Sequence, residues 1–309
     1  MSGANHELVA VMTTVFASPD QVAASLDRVD YLADRGLSTA IFLSVSLGRP
    51  LFLEGDPGVG KTEVASALAA ALGARLVRLQ CYEGLDTTQA VYDWDHARQL
   101  LHLRAREVAG HIDGVDALER ELWTEEYLIR RPVLDALTGT EHDPVVLLID
   151  EIDRADDYFE AVLLEVLATA SVTIPELGTI SASWPPMVVL TSNRTRDVHD
   201  AVKRRCIYHW LDHPDLEREV AIIERRAPGV PASLARRVAE LGAEFRTLHL
   251  LKPPGVAEVI DWAVAATALG ADGSADPMTD LDDSVGSILK YREDIERVRA
   301  SGILARPTT

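Results

Sequence analysis

The stretch Gly55-Asp56-Pro57-Gly58-Val59-Gly60-Lys61-Thr62 fits the pattern G-x-x-x-x-G-K-[ST]. In that pattern backbone N–H groups cradle phosphates, the lysine reaches the β- and γ-phosphates, and the hydroxyl holds Mg²⁺. The pattern needs a strand before it and a helix after it. Pro50-Leu51-Phe52-Leu53-Glu54 reads as a short buried strand, and Glu63 to Leu72 reads as an Ala-rich helix. The helix N-terminus adds partial positive charge where the loop amides converge. The chain has four lysines (Lys61, Lys203, Lys252 and Lys290), and one occupies the lysine position of the motif. Gly55 through Glu63 is therefore the expected cofactor-binding stretch for ATP, with Thr62 a ligand for Mg²⁺. A Gly-rich turn that binds nothing is the weaker alternative.

Working outward, the chain has 309 residues, room for one large or two modest domains. An apolar fraction of 47% suits a full globular core. The net charge of −19 argues against non-specific binding to nucleic acid or to an anionic membrane, because phosphate contacts need clustered Lys and Arg. The two cysteines, Cys81 and Cys206, suggest neither a disulfide framework nor a zinc site, so a cytoplasmic protein is expected. The start, Met1-Ser2-Gly3-Ala4-Asn5-His6-Glu7, lacks the basic and then apolar pattern of a signal peptide. No apolar stretch has the length of a membrane span.

Strand-like and helix-like segments alternate up to about residue 212, with strands expected at 50–54, 76–80, 145–150 and 187–192. Such alternation indicates an α/β fold: a mostly parallel sheet with helices on both faces. From Asp215 to Arg226, Pro231 to Phe245, Pro254 to Leu269 and Leu281 to Ala300 the pattern is helical. Pro228, Pro231, Pro253-Pro254 and the stretch Gly270 to Pro277 punctuate it. The expectation is a nucleotide-binding domain over 1–212 and a smaller all-helical domain over 213–309, with the boundary near His213-Pro214. Residues 82–143 separate the loop from the next motif and read as an insertion, a usual place for partner contacts. There Trp123 and Tyr127 have the spacing of packed residues. Tyr92 and Trp94 lie in a short polar stretch and are expected on the part of the insert that faces a partner or the ring pore.

Val145-Val146-Leu147-Leu148-Ile149 reads as a fully buried strand and ends in Asp150-Glu151. The C-terminal end of such a strand is where ligands bind in open α/β sheets. Asp150 is placed to hold Mg²⁺, directly or through water, and Glu151 to polarise an attacking water. Alone, the pair also suits two solvated acids capping a helix that starts near Ala155. A third strand, Met187 to Thr191, leads to Ser192-Asn193, whose amide can bond the γ-phosphate or the attacking water. Lys203-Arg204-Arg205-Cys206 follows. A basic triplet is usually a solvated face, but in an oligomeric ATPase an arginine here can reach the neighbouring subunit's γ-phosphate.

With these motifs together the chain resembles the AAA+ ATPases, and within them the MoxR family, over nearly its whole length. The phosphate loop and Asp150-Glu151 look like Walker A and Walker B, and Asn193 like sensor 1. Arg205 looks like the arginine finger, with Arg204 its rival. The runs Asp150-Glu151-Ile152-Asp153-Arg154-Ala155 and Val172-Thr173-Ile174-Pro175-Glu176-Leu177-Gly178 are similar to MoxR sequences. Gln80-Cys81-Tyr82-Glu83-Gly84-Leu85-Asp86 and Tyr92-Asp93-Trp94 look like the subgroup encoded beside carbon monoxide dehydrogenase and other molybdenum hydroxylases. The resemblance implies a helix-2 insert, a helical lid, a hexameric ring, and a partner with a von Willebrand factor A domain. It also implies a chaperone role in maturing a metalloenzyme client such as a molybdenum hydroxylase. One departure is the sensor 2 position, where Leu251-Lys252-Pro253-Pro254-Gly255-Val256-Ala257-Glu258 offers Lys252 and no arginine. Lysine is a point charge without arginine's planar fork.

Two other readings compete. A nucleic-acid-associated AAA+ motor is disfavoured by the acidic balance. A small-molecule kinase with the same loop has no need of Glu151, Asn193 and Arg205 in this order.

Overall fold

The computed structural model describes residues 16–108, 120–270 and 281–304. Two compact units are present, and they interleave along the chain. The first takes in 35–54 and 65–209, and the second 26–34, 55–64 and 210–309.

The first unit is built on a five-stranded sheet. Its strands are β1 (Leu51–Glu54), β2 (Arg75–Gln80), β5 (Val145–Asp150), β8 (Met187–Ser192) and β9 (Ile207–Trp210), in the order β2-β5-β8-β1-β9. The pairs β2–β5, β5–β8 and β8–β1 are parallel, as the alternation of segments required. Every residue of β1, β5 and β8 is buried, which is why these runs are apolar without alternation. Edge strand β2 instead alternates exposed and buried residues. The register sets Gln80 beside Asp150, and Glu54 beside Ser192, so the functional side chains gather at one end of the sheet.

The four strands read from the sequence are all present. Five more are found among the described residues. Edge strand β9 holds Tyr208 and Trp210. Two antiparallel hairpins, β3 (Tyr92–Trp94) with β4 (Leu128–Arg130) and β6 (Ser171–Ile174) with β7 (Gly178–Ser181), stand outside the sheet. Three and four residues are too few to show a period above noise.

The first hairpin overturns one expectation. Trp94 is 8% exposed and belongs to the core beneath the sheet, while Tyr92 packs against the same core. Trp94 meets Trp123 edge-on at 4.8 Å between ring centroids, and Tyr127 is buried beside them. Trp94 is thus turned into the core, and Tyr92 is only partly exposed. Their neighbours are polar for local reasons. Asp93 pairs with Arg131 at 3.1 Å, and Asp95 accepts the Arg98 N–H at the start of the helix His96–Val108. In a strand, residues two apart share a face, so Tyr92 and Trp94 point inward together. Residues 109–119 of the insertion lie outside the described residues.

The second unit has its own core of Ile223, Val238, Leu241, Phe245, Val259, Trp262 and neighbours. The helices Leu216–Arg226, Ala232–Arg246 and Val256–Gly270 supply most of it. The first starts at Asp215, whose carboxylate accepts the Arg218 N–H at 2.9 Å, a side-chain N-cap. The expected helix from Leu281 to Ala300 is broken. Residues 281–283 are helical, a 3₁₀ turn covers Val285–Ser287, and a separate α-helix runs over Arg292–Ser301. Trp262 Nε1 donates to Leu281 O and to Ser284 Oγ, which holds the break between the two helical pieces against the core. The stretch 271–280 lies outside the described residues. Among the described residues no helix is long and apolar enough to cross a membrane.

Candidate active site

The phosphate loop belongs to the second unit. Gly58 and Gly60 hold φ of +84° and +94°, a left-handed backbone that side chains resist. Gly58 also sits too close to Gly255 for any side chain: a Cβ on it would fall 2.7 Å from Gly255 Cα. Val256 N donates to Gly58 O at 3.0 Å, which closes the contact. Lys61 is the first residue of the helix Lys61–Leu72 and is 7% exposed. Its Nζ donates to Gly55 O and Asp56 O, each at 2.8 Å, so the ammonium lies over the loop. Left-handed glycines, a helix N-terminus and a buried lysine form a cradle that fits a polyphosphate. Thr62 follows Lys61 in the first turn, and Glu63 is ion-paired with Arg226 at 3.0 Å.

The carboxylates belong to the first unit. Asp150 ends β5 and is 3% exposed. It accepts Thr191 Oγ1–H at 2.6 Å and pairs with Arg78 Nη2 at 2.6 Å. Glu151 leaves the strand in the left-handed region, with φ 56° and ψ 49°. Such a conformation costs about 1–3 kcal/mol in a non-glycine residue and marks positions held by their surroundings. Thr191 Oγ1 accepts the Glu151 N–H at 2.9 Å and so fixes the kink. Asn193 Nδ2 donates to Glu151 Oε1 at 3.2 Å, Gln80 Nε2 to Oε2 at 3.1 Å, and Arg154 Nε lies 3.0 Å from Oε2. Asp153, 2% exposed, accepts the N–H groups of Asn193 and Thr195 and so anchors the turn after β8. The structure thus brings together Asp150, Glu151 and Asn193, which sequence reading had named. It adds Arg78, Gln80, Thr191, Asp153 and Arg154. Gln80, Asp153 and Arg154 lie inside runs already singled out, whereas Arg78 needed the β2–β5 pairing to be seen.

Cys81 follows Gln80 and is buried, and burial, helped by Asp150, pushes its thiol up to about 12. A thiol held protonated in this way is inert as a nucleophile.

Arg204 and Arg205 are exposed on the turn after the short helix Asp200–Lys203. Arg205 Nη1 donates to Ala201 O at 3.0 Å, and Arg204 lies 3.8 Å from Asp200. Lys252 lies 3.7 Å from Glu258 and its side chain is 52% exposed. A role missed by sequence reading falls to Arg246. It grips the fully buried Glu219 with both Nη atoms, at 2.8 and 2.6 Å, and its Nε donates to Pro254 O, the carbonyl before Gly255. Arg246 therefore sets the backbone on which Gly58 rests. Among the described residues no group of three or more His, Cys, Asp or Glu side chains could cage a metal.

The strand–loop–helix phosphate cradle is that of a P-loop nucleotide triphosphatase, and an acidic pair and an asparagine at the ends of adjacent strands are features of the AAA+ kind. The family model AAA domain (dynein-related subfamily) matches residues 50–206, and the chain belongs to that family. The protein is accordingly an ATPase, and membership implies nucleotide binding, usually with Mg²⁺. Among solved structures the chain is similar to a point mutant of Thermotoga maritima RuvB, at 16% identity over 81% of this chain and 67% of that one, with a TM-score of 0.47. It is also similar to domain III of the Thermotoga maritima replication initiation protein DnaA, at 14% identity over 85% and 96% of the two chains, with a TM-score of 0.45. No curated protein matches the chain.

Proposed function

We propose that this ATPase drives the remodelling or activation of a partner protein from within a hexameric ring. The observation that carries the hydrolytic half of the reading is the grip of Asn193 on Glu151, because it points the one strained carboxylate of the site. In this reading Lys61 neutralises the β- and γ-phosphates, and Glu151 takes the proton of the attacking water. Asn193 fixes the position of Glu151, and Arg205, or Arg204 beside it, reaches the γ-phosphate on the next subunit. Mg²⁺ bound by Thr62 and Asp150 would supply charge neutralisation on the phosphates. Arg78 pairs with Asp150 and would compete with a metal for that carboxylate. Lys252 stands at the sensor 2 position.

The finer assignment is a MoxR-like ATPase of the subgroup encoded beside molybdenum hydroxylases. It works with a von Willebrand factor A domain protein on a metalloenzyme client in the cytoplasm. It is supported by the runs 150–155 and 172–178, the second of which covers most of β6 and the turn into β7. The charge of −19 favours a protein client over nucleic acid. Measuring ATPase activity against protein concentration, with no phosphoryl acceptor added, tests the assembly. A steep rise is expected, and a specific activity independent of concentration in a monomeric protein would overturn the ring.

A further inference from the structure

Two segments about 150 residues apart are laced together along the whole of β1. Arg49, just before the strand, donates from Nε to Arg205 O at 3.1 Å and from Nη2 to Arg204 O at 2.6 Å. Pro50 O accepts the Ile207 N–H at 2.7 Å. At the other end stands Glu54, the last residue before the phosphate loop and 4% exposed. Its Oε1 takes Lys203 Nζ at 3.1 Å, and its Oε2 takes the Tyr208 hydroxyl at 3.0 Å. Lys203 Nζ also lies 5.7 Å above the Phe52 ring, which stacks on Tyr208 at 6.1 Å. Both carboxylate oxygens of a buried glutamate, and one of only four lysines in the chain, are committed to this joint.

A buried ion pair is weak evidence for stability, because apolar residues of equal volume often do as well or better. What it specifies is position. The lysine precedes Arg204 and Arg205, and the glutamate precedes Gly55. We infer that Glu54, Lys203 and Arg49 are positioning residues that hold the arginine turn in register with the strand feeding the phosphate loop. They thereby set where Arg204 and Arg205 project toward a neighbouring subunit. None of the three touches nucleotide in this account. Their effect on hydrolysis is exerted in trans, through the arginines. The inference rests on the proposal that Arg204 or Arg205 serves the next subunit.

Full-length protein carrying Lys203→Met, and the charge-neutral double variant Glu54→Gln/Lys203→Met, test it against an Arg205→Ala/Arg204→Ala control. Both variants should bind ATP within about threefold of wild type by calorimetry and lose about tenfold or more in kcat. Lys203→Arg should keep most of the rate. Adding Lys61→Ala subunits, which carry an intact arginine turn and no working loop, should restore turnover to the Lys203→Met protein. The positioning role is overturned if Lys203→Met turns over at the wild-type rate while the arginine control is impaired. It is equally overturned if mixing rescues the arginine control and leaves Lys203→Met inactive. If the arginine control itself turns over normally, the trans arginine fails first and the positioning role falls with it. The double variant guards against misreading a folding defect, since it leaves no buried charge unpaired.

Discussion

Asn193 Nδ2 and Glu151 Oε1 lie 3.2 Å apart, a hydrogen bond from the turn after one strand to the residue that follows its neighbour. The bond exists because β5 and β8 are paired in parallel and both end at the same edge. Gln80 and Arg154 hold the other oxygen, so the carboxylate is steered from both sides. Glu151→Gln keeps the shape and loses the base. It should leave nucleotide affinity intact and lower turnover by roughly 10²–10⁴-fold, the range for a positioned acid–base group. Steady-state hydrolysis and calorimetry on one preparation check this, and turnover near wild type would remove Glu151 from the chemistry.

Lys61→Ala removes the ammonium that spans Gly55 O and Asp56 O. The charge-assisted contact to the phosphates disappears, and two backbone carbonyls lose their buried donor. Binding of ATP and ADP should become undetectable by calorimetry at concentrations that saturate wild type. Unchanged affinity would sink the phosphate-loop assignment.

Trp94 is a matter of stability. Truncating a buried aromatic typically costs about 3–5 kcal/mol, and Trp94 also loses its edge contact with Trp123. Trp94→Ala should lower the urea midpoint of unfolding markedly, whether or not a client is present. A variant as stable as wild type would return Trp94 to the surface role first expected of it.

That reversal shows where the sequence was legible. Strands β1, β5 and β8 were readable because each is buried on both faces and so apolar without a break. The phosphate loop was readable because phosphate geometry constrains its glycines and lysine one by one. Tyr92 and Trp94 misled because Asp93 and Asp95 surround them, and those carboxylates serve an ion pair and a helix cap rather than solvent. What Arg78, Gln80 and Arg246 hold was invisible for a different reason. Their roles come from partners 72, 71 and 27 residues away, brought near only by strand register and helix packing.

His213 gives a pH signature. Burial, then Arg246, pulls its pKa from 6.5 down to about 4, and its Nδ1 is buried without a hydrogen-bond partner. Asp56 and Asp212 act in the opposite sense, and Lys61 adds to the depression. The unfolded chain therefore binds a proton near pH 6.5 that the folded protein refuses until about pH 4. Stability rises with pH wherever the unfolded state holds more protons. Hence His213 costs nothing above pH 6.5 and costs progressively more as pH falls from 6.5 toward 4. His213→Phe should flatten that part of the stability profile, read from urea midpoints across the interval. Parallel profiles for the two proteins would mean that His213 is not the group responsible.

Gly255 tests the bed on which the phosphate loop lies. A Cβ there would fall 2.6 Å from Gly58 Cα and 2.7 Å from Gly58 O, both backbone atoms with no rotamer to yield. The clash can be relieved only by moving the loop or the segment Pro254-Gly255, and Arg246 ties Pro254 O to the buried Glu219. The loop is the part that gives way. Overpacking of this kind costs about 1–3 kcal/mol, and every 1.4 kcal/mol of it that falls on the bound state is about tenfold in affinity. Gly255→Ala should therefore weaken ATP and ADP alike by about tenfold. Gly229→Ala, where a Cβ meets nothing within 4 Å, should not. Equal affinities for the two variants, at matched folded fractions by circular dichroism, would show that the loop does not depend on this contact.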